Sequence, residues 1–382
     1  MEIVNKFINK LHLSQLAFKL ESWKKRKDNK LLFLTVDHAL TYLHGVSPDL
    51  GHSCITDREL PPSDCDLEVI VPCYNVEKYV EECVDSILAQ ETKYNFFVTI
   101  INDGSKDHTR EILRKYESVP NVKIIDQDNS GHSGARNAGL AQVHGRYVLF
   151  VDSDDILLPG AIDALMSLAV ENNADVVDSG HIRFADSTQK GIKARFQTYL
   201  YDVLQRPQTL SFNVASPRIT GFPCGKVLNS ELFHKVQFPK GYWFEDTLVW
   251  MILEPLCTRK VTSDRLTFRY RMNLNSISHK AALNPKSIDT LYVTLQLLKD
   301  RESLGVQFDQ YQYELLLQQM RNNFYRVQSL NTEIKQAVFV VEQDLIANKF
   351  ANWSTTNPKV KPIEDLLRTG DYVGFELWCK WH

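Results

Sequence analysis

From residue 67 the chain alternates short apolar segments with stretches of helical spacing, and each apolar segment runs into a polar cluster. This alternation limits the possible folds more than any other feature. The segments 67–72, 96–101, 122–125, 147–151 and 175–184 are apolar or β-branched and of strand length. Between them, 77–90, 107–116 and 134–143 carry helical periodicity, as does the stretch that Pro159 opens and that runs to about residue 171. Strands that alternate with helices predict an α/β fold: a mostly parallel, Rossmann-like sheet flanked by helices and joined by right-handed crossovers.

In such a sheet, ligands bind beyond the carboxyl ends of the strands. The first segment ends in Pro72-Cys73-Tyr74-Asn75 and the second in Asn102-Asp103-Gly104-Ser105. The third is followed by Asn129-Ser130-Gly131-His132-Ser133-Gly134-Ala135-Arg136-Asn137, and the fourth ends in Asp152-Ser153-Asp154-Asp155. Four polar clusters on one edge predict a cleft. Its character is acidic. The first strand–helix turn lacks G-x-G-x-x-G, and the chain has no G-x-x-x-x-G-K-[ST], which disfavours a dinucleotide site and excludes a P-loop. Phosphates would sit beside Asp152 and Asp154 only across a bridging cation. Carboxylate oxygens suit Mn²⁺ or Mg²⁺, which keep positions open for phosphate oxygens.

The formal net charge of −3 supplies no basic excess for phosphate neutralisation, so nucleic acid is not an expected partner. The seven cysteines are scattered and never spaced C-x-x-C, which argues against a disulfide framework or a zinc site. No continuous apolar core of a signal peptide is seen at the N-terminus, and no apolar run reaches the roughly 20 residues of a spanning helix, so a cytoplasmic location is expected. Residues 1–30 carry eight Lys/Arg against three Asp/Glu, and Val4, Phe7, Ile8 and Leu11 share a helical face. That face either docks on the protein itself or makes peripheral contact with the inner face of an anionic membrane. The stretch 57–66, with Pro61-Pro62, reads as a linker. Beyond about residue 285 the pattern is helical. The expected division is therefore a partly helical N-terminal extension over 1–66, a catalytic domain over 67–282 and a helical region over 283–382, whose helices are candidates for homo-oligomer contacts.

Together the strand-end clusters resemble the inverting glycosyltransferases of family 2, of GT-A fold, of the bacterial polysaccharide type. The carriers are Val71-Pro72-Cys73-Tyr74-Asn75, then Asn102-Asp103-Gly104-Ser105-Lys106-Asp107. They continue with the run from Ser130 to Leu140, Val151-Asp152-Ser153-Asp154-Asp155, and Phe244-Glu245-Asp246. The resemblance covers about residues 67–279. It implies a nucleoside diphosphate sugar donor, most often a UDP-sugar, and a saccharide or polymer acceptor, lipid-linked ones included. Pro72 and Tyr74 would form the wall on which the base stacks, with Asn75 and Ser105 alongside. Asp103 would accept from the base edge and Arg136 would face the base or diphosphate. Asp152, with Ser153, would lie by the ribose and the metal, and Asp154 would ligate the metal. Asp246 would be the catalytic base, with Glu245 beside it, and Arg271 and His279 are the candidates for the diphosphate and the metal. The segment Phe222-Pro223-Cys224-Gly225-Lys226 resembles the acceptor-side turn, where many members carry Trp-Asn in place of Cys224-Gly225.

Three other readings use the same residues. A nucleotidyltransferase would want a glycine-rich, basic first turn, which Val71-Pro72-Cys73-Tyr74-Asn75 does not provide. An aspartate-nucleophile phosphatase would want Thr or Val at Ile156. A non-catalytic subunit would have no need of the base and metal ligands present here.

Overall fold

The computed structural model describes residues 31–33, 35–184, 198–199, 208–209, 219, 221–272 and 283–381. The chain divides into two compact units. One comprises residues 51–274 with 296–306; the other comprises 1–50, 275–295 and 307–382.

The first unit is built on a ten-stranded sheet. In chain order its strands are β1 (Cys65–Cys73), β2 (Phe96–Asp103), β3 (Val122–Gln127), β4 (Gly145–Phe150), β5 (Ile156–Leu157), β6 (Val176–Phe184), β7 (Thr198–Tyr199), β8 (Gln208–Thr209), β9 (Lys226–Asn229) and β10 (Lys260–Arg271). The spatial order is β3-β2-β1-β4-β9-β6-β10-β5, with β7 on β6 and β8 on β10. The half built from β3, β2, β1 and β4 is parallel throughout. Antiparallel β9 then enters between β4 and β6, and β10 runs parallel to β6. The central strand β1 explains the parallel half: Leu67, Val69, Ile70 and Val71 are fully buried. A strand covered by helices on both faces wants such an unbroken apolar run. Each such side chain contributes about 1.5–3 kcal/mol of burial.

The helices Val80–Leu88, Gly131–Leu140 and Ala161–Glu171 fall where the periodicity placed them. The helix expected over 107–116 is instead a short α-helix, Thr109–Leu113, followed by a 3₁₀ turn, Arg114–Tyr116. The start of the stretch read as a linker, and the residues just before it, are bonded to the sheet unit. Ile55 bridges Val236, and the amides of Thr56 and Arg58 donate to the carbonyls of Lys235 and His234 at 3.0 and 2.9 Å. These backbone bonds tie residues 52–58 to the sheet unit.

The second unit is helical. It contains the helices Val36–Val46, Gln310–Val327, Thr332–Asp344, Lys361–Thr369 and Tyr372–Trp381. Leu316, Met320 and Phe324, one face in the sequence, are buried, and Phe324 meets Phe375 edge-on at 5.2 Å. Residues 1–30, with the basic amphipathic stretch, lie outside the described residues. Among the described residues no helix is long and apolar enough to cross a membrane.

Candidate active site

The carboxyl ends of β1, β2 and β4, with the turn after β3, form one laced rim. At the end of β1, Asn75 takes up a left-handed backbone conformation (φ 52°), which Asn tolerates better than most residues. Its amide donates to Ser105 Oγ at 3.1 Å and its Oδ1 accepts from the Lys106 amide at 2.7 Å. Tyr74 beside it is 46% exposed, a large ring left open to solvent where a stacking wall was expected, and Pro72 is buried.

Asp103, at the end of β2, is buried. Its Oδ1 accepts from Gln127 Nε2 (2.7 Å) and the Ser130 amide (2.8 Å), and its Oδ2 accepts from the Gly131 amide (3.0 Å). It therefore caps, from another strand, the start of the helix Gly131–Leu140. Asp103 thus has a structural role in holding the third loop against the second strand. A carboxylate has about four acceptor positions, and Oδ2 is the less heavily used oxygen.

Arg136, on that helix, is the junction of the site. It is buried, and it donates to Asp152 Oδ1 at 2.9 Å and to Glu245 Oε1 at 2.5 Å. Its guanidinium also lies over Phe238, 5.2 Å from the ring centre. Burial disfavours its charge, but Asp152 and Glu245 outweigh that, so its pKa is raised above the ordinary arginine value. The effect is mutual. Burial alone would raise the Asp152 pKa; Arg136, with His132 and the Cys224 thiol, holds it below the usual carboxylate value.

The Asp152–Asp155 turn follows β4. Ser153 is buried, and the Asp155 amide closes the turn on the Asp152 carbonyl at 2.9 Å. Asp155 is fully buried. Its Oδ1 accepts the Arg271 amide at 2.8 Å, while Oδ2 has no hydrogen-bond partner. Burial, reinforced by Asp152 and Asp154, pushes its carboxyl well above the ordinary range. Arg271, at the end of β10, donates through Nε to the Asp154 carbonyl at 2.7 Å and through Nη2 to Glu82 at 2.5 Å. It also lies over Tyr79 and Phe184, 4.8 and 4.5 Å from their ring centres. Arg271 therefore braces the acidic turn from below its backbone.

The aromatic segment 242–246 ends in a backbone strain point. Phe244 has φ 66°, unusual for a bulky residue and characteristic of functional turns. Helical bonding starts there: the amides of Thr247, Leu248 and Val249 donate to the carbonyls of Phe244, Glu245 and Asp246. Glu245 and Asp246 thus stand in a first helical turn. Buried Glu245 turns to Arg136, with His132 Nδ1 at 3.8 Å, whereas Asp246 is only partly buried.

Two carboxylates at a turn, with a third buried carboxylate oxygen unpartnered beside them, fit a hard divalent cation, which one or two carboxylates and substrate phosphates commonly complete. His279, the remaining candidate ligand, lies outside the described residues. Three contributors went unrecognised in the sequence: His132, Cys224 and Glu82. The first two lie inside segments that stood out as motifs, but nothing local to them signals a contact with Asp152. Glu82 sits on an ordinary amphipathic helix.

The family model for glycosyl transferase family 2 matches residues 68–238. Glycosyltransferase GlyA of Streptococcus pneumoniae is 31% identical over 229 residues, which are 56% of this chain and 32% of GlyA. Glycosyltransferase GlyG of the same organism is 29% identical over 218 residues, 55% of this chain and 72% of GlyG. Among solved structures, residues 1–349 of Staphylococcus aureus TarS in complex with UDP-GlcNAc superpose with a TM-score of 0.62 at 20% identity, covering 81% of this chain and 89% of that one. That likeness establishes the GT-A type of fold. The chain spans about a third of GlyA but most of GlyG. Residues 68–238 of this chain, a little under half of it, thus match glycosyltransferase family 2.

Proposed function

We propose that the protein transfers a sugar from a nucleoside diphosphate sugar, with UDP as the favoured nucleotide, to a hydroxyl of a saccharide or polymer acceptor, with inversion at the anomeric carbon. The observation that carries this reading is the double contact of Arg136. One guanidinium holds Asp152 of the donor turn and Glu245 of the 242–246 segment, so the residue next to Asp246 is fixed to the donor side. The match of residues 68–238 to family 2, and the UDP-GlcNAc in the TarS structure, support the donor class.

Each residue then has a task. Exposed Tyr74 offers a face to the base, two residues beyond the buried Pro72, and Asp103 keeps the neighbouring loop in place. Asp154 and Asp152 are the residues that would hold Mn²⁺ or Mg²⁺, which when bound offsets the diphosphate charge. Arg136 holds Asp152 ionised and fixes Glu245, and the neighbouring Asp246 is assigned to take the acceptor proton. As that proton leaves, the hydroxyl oxygen attacks the anomeric carbon from the face opposite the diphosphate, and the bond to the diphosphate breaks. General base catalysis is typically worth roughly 10²–10⁴-fold. Asp246→Asn is therefore expected to lose transfer by about that factor while still binding UDP, as read by calorimetry and a donor-turnover assay. Near wild-type turnover in that variant would exclude Asp246 as the base.

A further inference from the structure

At the opposite end of β1 from the donor cleft, the fold assembles a second group of metal-ligating side chains. Eight residue steps along the strand, roughly 26 Å, separate the two. Asp64, Cys65 and His144 each present one ligand atom, all within 4.8 Å of one another. Sγ of Cys65 lies 3.6 Å from Nδ1 of His144, and Oδ1 of Asp64 lies 2.8 Å from the same nitrogen. Zinc bonds of roughly 2.3 Å to sulfur and 2.0–2.2 Å to nitrogen and oxygen give tetrahedral edges of about 3.6 Å for S···N and 3.4 Å for N···O. The first edge is already present. The second needs a shift of about 0.6 Å from Asp64, whose side chain is 76% exposed and turns easily.

Two further observations distinguish this group from a chance surface cluster. The backbone is preset: the Asp64 amide donates to the His144 carbonyl at 3.0 Å, and Cys65 pairs with Gly145 in the β1–β4 ladder. The other ring nitrogen of His144 faces Glu68 Oε2 at 3.6 Å. Glu68 is completely buried, is held by Thr99 Oγ1 and accepts from the His144 amide. A buried carboxylate on the far side of the ring, near Nε2 though beyond direct hydrogen-bond reach, favours the proton on Nε2 and so leaves Nδ1 to face the other two ligands. Cys65 is also the one cysteine of the seven that is not buried.

We propose that Asp64, Cys65 and His144 bind a zinc-class divalent cation, with Glu68 as the positioning residue behind His144 and a fourth, solvent-facing position open. One soft sulfur, one imidazole and one carboxylate select Zn²⁺ and Co²⁺ over the hard cations suited to the acidic turn. Binding releases the thiol proton to solvent and fastens residue 64, where the extended segment ends, to the β1–β4 ladder.

The test is titration of the full chain with Co²⁺, whose thiolate complex has its own charge-transfer absorption. One thiolate-bound Co²⁺ per chain is expected, displaced by Zn²⁺ and kept in Asp154→Ala. Cys65→Ser should abolish the band, with circular dichroism unchanged. Asp64→Asn, an exposed change that leaves the core intact, should weaken binding at least ~10-fold, as should Glu68→Gln. Absence of a thiolate band in the wild-type chain, its persistence in Cys65→Ser, or unaltered affinity in Asp64→Asn overturns the proposal. None of these outcomes bears on sugar transfer.

Discussion

At the residue scale, the unit is organised by buried charges with assigned partners. Arg136 serves two carboxylates, Lys226 pairs with Asp178 at 2.9 Å, and Arg271 braces a turn through its carbonyl. His181 is different. It is buried, stacks on Phe268 with ring centres 5.2 Å apart, and its Nδ1 has no hydrogen-bond partner. Burial, then the neighbouring Arg183 and Lys226, bring its pKa down from 6.5 to about 4. Between those values the unfolded chain binds a proton that the folded chain refuses, so stability is complete above pH 6.5 and falls as the pH drops toward 4. The loss is on the order of 2 kcal/mol after discounting for solvent screening. Thermal melts from pH 7 to 4 are expected to show a shallower decline for His181→Phe than for wild type. Identical slopes would mean that the imidazole does not titrate in this window.

At the element scale, close approach of helix Gly131–Leu140 to the sheet sets the position of Arg136. Gly139 makes that approach possible, since a Cβ there would stand 2.6 Å from Ile70 Cγ2 and 3.1 Å from Ile101 Cδ1. Both isoleucines are fully buried and cannot retreat to solvent. Gly139→Ala is therefore expected to destabilise the protein by about 1–2 kcal/mol, the overpacking cost less the helix propensity that Ala gains. It should also weaken transfer, because Arg136 moves with the helix. A urea midpoint equal to or above that of wild type would show that the helix can shift without loss. The turn Asn102-Asp103-Gly104-Ser105 has a similar constraint: Gly104 has φ 68°, and a Cβ would come 2.8 Å from the Asn129 amide nitrogen. These glycines, like the strained Phe244, hold loops at distances that favourable local propensity would not produce.

At the scale of the whole molecule, the sheet unit should respond to its donor as one body, because loops from four strands and the 242–246 segment share hydrogen bonds. UDP with Mn²⁺ is expected to raise the unfolding temperature, since a ligand that binds only the folded state adds about 2.7 kcal/mol at 100 times its Kd. Asp154→Ala should remove most of that shift, and an undiminished shift would remove Asp154 from the metal site. Much of this unit was legible from residue patterns. The buried run 69–71 announced a parallel strand, and the four polar clusters announced the rim. The entry of antiparallel β9 was not legible, because its four residues, Lys226–Asn229, have no periodicity long enough to read. The attachment of residues 52–58 was hidden as well, because backbone bonds leave no mark on composition.

The sequence by itself determined the parallel alternation of strands and helices, the acidic nature of the cleft and the resemblance to family 2, because these follow from local periodicity and from motifs whose residues are neighbours in the chain. Only the tertiary structure decided which charge meets which. Arg136 and Glu245 are 109 residues apart, and Arg271 and Glu82 are 189 apart. Scattered cysteines argued against a zinc site, yet folding places Cys65 beside His144, 79 residues away. Side-chain pairing across a parallel sheet depends on register and crossover length, and neither is recorded in any short stretch of residues.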